Sequence, residues 1–152
     1  MKLTVSESFN FCVGYTCAFL ESDLKIDWLI ANIVFAIQCL TVLMDIFPNL
    51  CNHIVNHGGV KCFTEVLERS MGFIDLNEAC IKAFEKISIE NPYAILTSGA
   101  MGIVLNMMDF FEITTQKKII HIVLNISRQS ASEHDMNEYL LPLMPCICMM
   151  LS

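Results

Sequence analysis

One module occurs twice in this chain and is partly present a third time, at a spacing of about 40 residues, the range of known helical repeats. GGVKCFTEVLE (58–68) followed by DLNEACIKAFEKIS (75–88) recurs as SGAMGIVLNMMD (98–109) followed by TTQKKIIHIVLNIS (114–127). FAIQCLTVLMDIFP (35–48) repeats the second half alone. It matches 79–92 at a shift of 44, whereas the later halves match at 39 to 40. Such a period predicts stacked repeats rather than a closed globular core, because each unit buries its apolar face only against its neighbours. Chains of this kind bind other molecules on a long surface more often than they catalyse reactions.

The composition agrees with that prediction but allows a rival. Hydrophobic residues make up 55% of the 152 residues and charged ones 16%. The mean hydropathy is +0.55. Such an apolar chain is either a piece of a solenoid with open ends or a membrane protein. The only candidate span is 28–44, uncharged between Asp27 and Asp45. It reaches only the minimum length for a span, about 17 residues. Asn32, Gln38 and Thr41 lie inside it, and its close flanks are acidic rather than basic. It is expected to be a core helix of the first repeat, with a membrane-associated protein as the weakest alternative. Glu7 interrupts the approach to the apolar run 9–20, so no secretory signal is expected.

The eight cysteines do not form the dense loop framework of a disulfide-stapled domain. Cys39, Cys62 and Cys80 fall on apolar positions of the repeat, where a thiol acts as a small hydrophobe. A reducing compartment, cytoplasmic or nuclear, is expected. The net charge of −7, with no basic cluster beyond Lys117-Lys118, argues against nucleic acid as a partner.

Punctuation along the chain divides it into a leader, 1–25, and repeats over 26–152, at about 26–57, 58–98 and 99–152. Pro48 stops a long helix over 26–47. A short helix over 49–56 ends at Gly58-Gly59, where glycine accepts the left-handed conformation past a helix end. Helices over 60–69 and from Asp75 onward follow. Asp75 with Glu78 reads as a capping box. Asn91-Pro92 starts the next short helix as cap and first helical residue, Gly99 closes it, and helices over 100–109 and 115–128 repeat the pattern. A polar segment, 129–137, separates these from an apolar stretch, 139–151, that begins a further unit. The fold predicted is all-α, a right-handed solenoid of about three repeats, truncated at its C-terminal end, where further repeats or a partner would cover it.

The order of short helix, Gly-Ala or Gly-Val, apolar helix, turn, and long helix ending in Leu-Asn-Ile-Ser resembles the armadillo repeat. More specifically, NPYAILTSGAMGIVLNMMDFFEITTQKK (91–118) is similar to the armadillo region of HECT-type ubiquitin ligases of the plant Kaktus, yeast ubiquitin-fusion-degradation and animal thyroid-receptor-interacting types. Pro92, Ala94, Ile95, Leu96, Gly99-Ala100 and Asp109-Phe110-Phe111 carry the resemblance, together with Gln116 and Leu140-Leu141-Pro142-Leu143. It implies a region that helps select substrates while a distant HECT domain holds the reactive cysteine. This chain has no room for such a domain, so it is expected not to be an enzyme itself.

The resemblance also implies a peptide groove along the long third helices, where armadillo proteins often carry a Trp and, four residues later, an Asn. Asn125 takes the Asn position and His121 the earlier one. The equivalents are Lys82/Lys86 and Gln38/Val42. Lys82, Lys86, His121 and Arg128 would form a basic wall suited to an acidic peptide through charge-assisted hydrogen bonds. The plainer reading of the same residues is a solvated helix face. Protein or peptide is the expected partner, and an armadillo-like scaffold with no ligase connection is the alternative.

Other chemistry is weaker. Cys51, His53, His57 and Cys62 are zinc-ligand types, but a one-residue gap and an intervening Gly-Gly suit tetrahedral closure poorly. Cys146-x-Cys148 is weaker still. His134-Asp135 has no nucleophile near it, and Gly58-Gly59 lacks the lysine and hydroxyl of a phosphate loop. The sequon at Asn125 lies mid-helix. The ten methionines read as flexible core filler. No cofactor or metal is expected.

Overall fold

The computed structural model describes residues 26–70, 72–129, 138–139 and 141–150, and every regular element among them is a helix. In chain order these are α1 (Ile26–Ile46), α2 (Asn49–Asn56), α3 (Gly59–Arg69), α4 (Ile74–Glu90), α5 (Pro92–Thr97), α6 (Ala100–Asn106), a 3-10 turn (Met108–Phe110) and α7 (Ile113–Gln129). A second 3-10 turn (Leu141–Leu143) leads into α8 (Met144–Met150). The leader 1–25, most of the polar segment 129–137 and the His134-Asp135 pair lie outside the described residues.

The helix boundaries follow the residues that cannot continue a helix. Pro48 has no N–H to donate, and α1 ends at Ile46, just before it. Gly58 separates α2 from α3 at φ 77°, and Gly99 separates α5 from α6 at φ 79°. A Cβ at either position would meet nothing within 4 Å. Backbone conformation, not space, therefore demands glycine there. Pro92 is the first residue of α5, as expected, and Asn91 holds the N-cap position, but its side chain caps nothing and instead donates to Asn52 Oδ1 at 2.6 Å.

Two expectations at helix ends need correction. Asp75 and Glu78 form no capping box: the N-cap is Phe73, and no side chain caps the helix. Asp75 sits inside the first turn, and the entry to α4 is set by a buried pair instead. The Ser70 hydroxyl donates to Asn77 Oδ1 at 2.7 Å, while Asn77 Nδ2 donates to the Ser70 carbonyl at 3.1 Å. The helix expected over 100–109 stops at Asn106, and a separate 3-10 turn follows. Gln116 explains that turn's position, because its amide donates to the carbonyls of Met108 and Phe111 at 3.3 and 3.0 Å.

Packing is organised around α4. The long helices stack in order, α1 on α4 and α4 on α7, and the short helices α2, α3, α5 and α6 fill the other side. Leu76, Ala79, Cys80, Ala83, Phe84 and Ile87 of α4 are all buried. Phe84 meets Phe63 of α3 edge to face, with centroids 6.0 Å apart. α8 packs on α6.

Ile30, Ile33, Ile37 and Met44 bury one side of α1 in this common core. No helix among the described residues is long and apolar enough to cross a membrane. Cys62 and Cys80 are buried, but Cys39 is exposed, so the apolar position assigned to it is not a core position.

Candidate binding face on the long helices

Four polar links tie the long helices to one another. Lys86 of α4 forms an ion pair with Asp45 of α1. Between α4 and α7, Thr115 donates to Glu78 at 3.0 Å, the Asn125 amide donates to Ser88 Oγ at 2.9 Å, and His121 Nδ1 lies 3.2 Å from Glu85. The partners in every link come from different repeats, so nothing local in the sequence announces them.

This geometry sorts the five residues of the expected groove. Lys86, His121 and Asn125 are engaged between neighbouring helices. Asn125 spends one N–H on Ser88, leaving its other N–H and its Oδ1 without a further bond among the described residues. Lys82, half-buried, and Arg128, exposed, have no ion pair among the described residues. The three on α7 share one stripe, since His121, Asn125 and Arg128 follow helical spacing of four and then three. Lys118, one turn before His121, completes that stripe, is half-buried and likewise has no ion pair there. The sequence reading missed it, although the spacing alone would have found it. Asp45 and Glu85 make the face mixed rather than uniformly basic.

The zinc-type residues do not converge. Cys51 and Cys62 are buried, whereas His53 and His57 are exposed and stacked on one another at 6.3 Å. His57 Nδ1 lies 2.7 Å from the His53 carbonyl, which orients the ring along its own helix. Among the described residues, no three His, Cys, Asp or Glu side chains stand close enough to share a metal. Burial, and then Cys62, raises the Cys80 thiol far above its usual range. Burial, then the Glu90 carboxylate, raises that of Cys51. Both remain protonated at neutral pH, the wrong state for a nucleophile.

Stacked long helices, bridged in each interval by two short ones and linked by side chains across one face, define a helical-repeat protein. Residues 25–97 match the family described as E3 ubiquitin-protein ligase TRIP12-like, TPR repeats. The chain is 35% identical over 100 residues to E3 ubiquitin-protein ligase UPL4 of Arabidopsis thaliana, which covers 66% of this chain and 7% of that protein. It is 32% identical over 114 residues to E3 ubiquitin-protein ligase UPL3 of the same plant, covering 75% of this chain and 6% of that one. The chain therefore belongs with the N-terminal repeat region of TRIP12- and UPL-type ubiquitin ligases. The matched region is a small fraction of each relative. No solved structure matches the chain.

Proposed function

We propose that this chain is a non-catalytic docking region of a HECT-type ubiquitin ligase, cytoplasmic or nuclear, which holds a substrate or adaptor against α4 and α7. The armadillo assignment rests on unit architecture. Each interval between long helices holds two short helices, with α4 starting at Ile74 and α7 at Ile113. A tetratricopeptide unit is shorter, about 34 residues, and has two helices; armadillo units run to about 40–47 residues with two or three.

The observation that carries the docking role is the set of cations Lys82, Lys118 and Arg128, which have no ion pair among the described residues. Lys118 and Arg128 share their helical stripe with Asn125, whose amide has hydrogen-bonding capacity left over. An extended segment with spaced acidic side chains meets both demands, salt-bridging the cations and hydrogen-bonding the amide. Asp45 and Glu85 would select against a densely acidic ligand.

The test is affinity capture with Lys82→Glu/Arg128→Glu, against Lys61→Glu as a surface control. Lys86 is left intact because its loss would break the bridge to Asp45. Loss of captured proteins in the double variant alone supports the reading. Unchanged capture in a folded double variant overturns it.

A further inference from the structure

The links between α4 and α7 form a ladder with a nearly constant register. Glu78 meets Thr115, Glu85 meets His121 and Ser88 meets Asn125, at sequence separations of 37, 36 and 37. The two helices therefore run parallel and level, since both rise about 1.5 Å per residue. Lys82 lies between Glu78 and Glu85 at helical spacings of four and three, and Lys118 between Thr115 and His121 at three and three. The same register sets Lys82 level with Lys118. Both are half-buried, and neither has an ion pair among the described residues.

A ladder with three satisfied rungs thus has a fourth that sets two cations side by side. Glu78 and Glu85 bound that rung, but Glu78 accepts from the Thr115 hydroxyl and Glu85 faces the His121 ring. Neither carboxylate comes within ion-pair distance of Lys82 or Lys118. On the other flank of α4, Thr41 stands four residues before Asp45 as Lys82 stands four before Lys86. The Lys86–Asp45 ion pair therefore places the uncharged Thr41 level with Lys82, its hydroxyl donating to the Ile37 carbonyl at 2.8 Å. Neighbouring like charges repel, and an anion brought between them converts that repulsion into attraction.

We propose that the Lys82–Lys118 rung binds the phosphoryl group of a phosphorylated serine or threonine in the docked segment. The inference rests on the docking role proposed above and names the anchor of the ligand. Charge decides the group. A phosphate monoester carries about −1.5 to −2 at neutral pH and offers three acceptor oxygens, so one group answers both ammonium ions. A carboxylate has a single charge and leaves one of them unneutralised. Glu78 and Glu85 on either side admit one compact dianion, but repel a run of acids or an anionic lipid surface.

The probes are three degenerate peptide libraries, each with one fixed central residue (phosphoserine, aspartate or serine), passed over the immobilised full chain. The phosphoserine library should be retained about tenfold more than the aspartate library. Lys82→Gln and Lys118→Gln should each lower that retention by about tenfold, as loss of one charge-assisted contact would do. Lys117→Gln, at an exposed neighbour off the stripe, should leave it unchanged. Each Gln variant removes one of two like charges, so its thermal melt should lie no lower than that of the unaltered chain, which separates lost binding from lost folding. Equal retention of the phosphoserine and aspartate libraries would overturn the phosphoryl assignment and leave the acidic-segment docking role standing. Retention of neither would overturn both. Phosphoserine retention that survives both Gln variants would overturn the inference, as would tighter capture of vesicles containing phosphatidic acid.

Discussion

α1 and α4 share one sequence pattern and have opposite surroundings. Ala79, Cys80, Ala83 and Ile87 lie on α4, which packs against α1, α7 and the short helices, and none is more than 2% exposed. Their counterparts Phe35, Ala36, Cys39 and Leu43 face away from the core. The pattern in a repeat protein specifies a surface that wants a neighbour; whether it stabilises depends on the neighbour being there. The same methylene groups thus count fully in α4 and hardly at all in an uncovered α1.

The largest effect that can test this contrast is at Phe84. Truncation to Ala removes a fully buried ring that packs on Phe63, and should destabilise the protein by about 3–5 kcal/mol. Phe35→Ala, at 67% exposure, should stay within about 0.5 kcal/mol if the face is open. Urea unfolding of the two variants checks both. A loss well above that at Phe35 would show that something covers this side of α1.

Asn77→Ala should rank second. It leaves the Ser70 hydroxyl without its partner in a buried turn and removes one of the two bonds to the Ser70 carbonyl, which keeps the Phe73 N–H at 2.8 Å, a loss of about 1–3 kcal/mol. The effect should be specific to the entry of α4, because α1 carries Ile33 at the corresponding place and no such turn precedes it among the described residues. Thermal melting of Asn77→Ala beside Asp75→Ala separates the two accounts of that helix start. If Asp75→Ala is the more damaging, the Ser70–Asn77 pair does not set the boundary.

That helix start also shows what the sequence could and could not reveal. Pro48, Gly58, Pro92 and Gly99 act on their own backbone, so the breaks they cause were legible without any fold. The capping box failed because Asp75 and Glu78 fit the motif only if the helix begins at Asp75, and the Ser70–Asn77 pair moved the start to Ile74. The groove was half legible. Periodicity placed His121, Asn125 and Arg128 on one stripe, but the acids that occupy Lys86 and His121 come from α1 and α4 and required the stacking register. The exposed side of α1 was not legible at all. A helix apolar all round does not say which of its sides will be buried.

The buried face of α4 also holds a titratable thiol. Cys80 is buried with its thiol pKa raised, so the folded state favours the protonated form. The contribution of this group to stability is therefore full below the unfolded cysteine pKa, about 8.5, and is lost as pH rises above it toward the folded value. Each pH unit above that point should remove about 1.4 kcal/mol for one such thiol. Cys80→Ala should flatten the decline between about pH 8.5 and 10, measured by urea midpoints. An equal slope in the variant and the unaltered protein would mean that the alkaline loss has another origin.

The smallest expected effect concerns the link between the two helices themselves. Lys86 and Asp45 form a single bridge, with side chains 34% and 51% exposed. A half-solvated pair of this kind couples by about 0.2–1 kcal/mol and weakens with salt. A double-mutant cycle with Lys86→Ala and Asp45→Ala at low and high ionic strength should give a coupling in that range that shrinks as salt is added. Apolar packing of Ile37 and Met44, not the bridge, would then hold α1 to α4. A coupling of several kcal/mol insensitive to salt would mean instead that the pair is shielded from water, and that the exposed side of α1 is covered far more completely than the described residues alone provide.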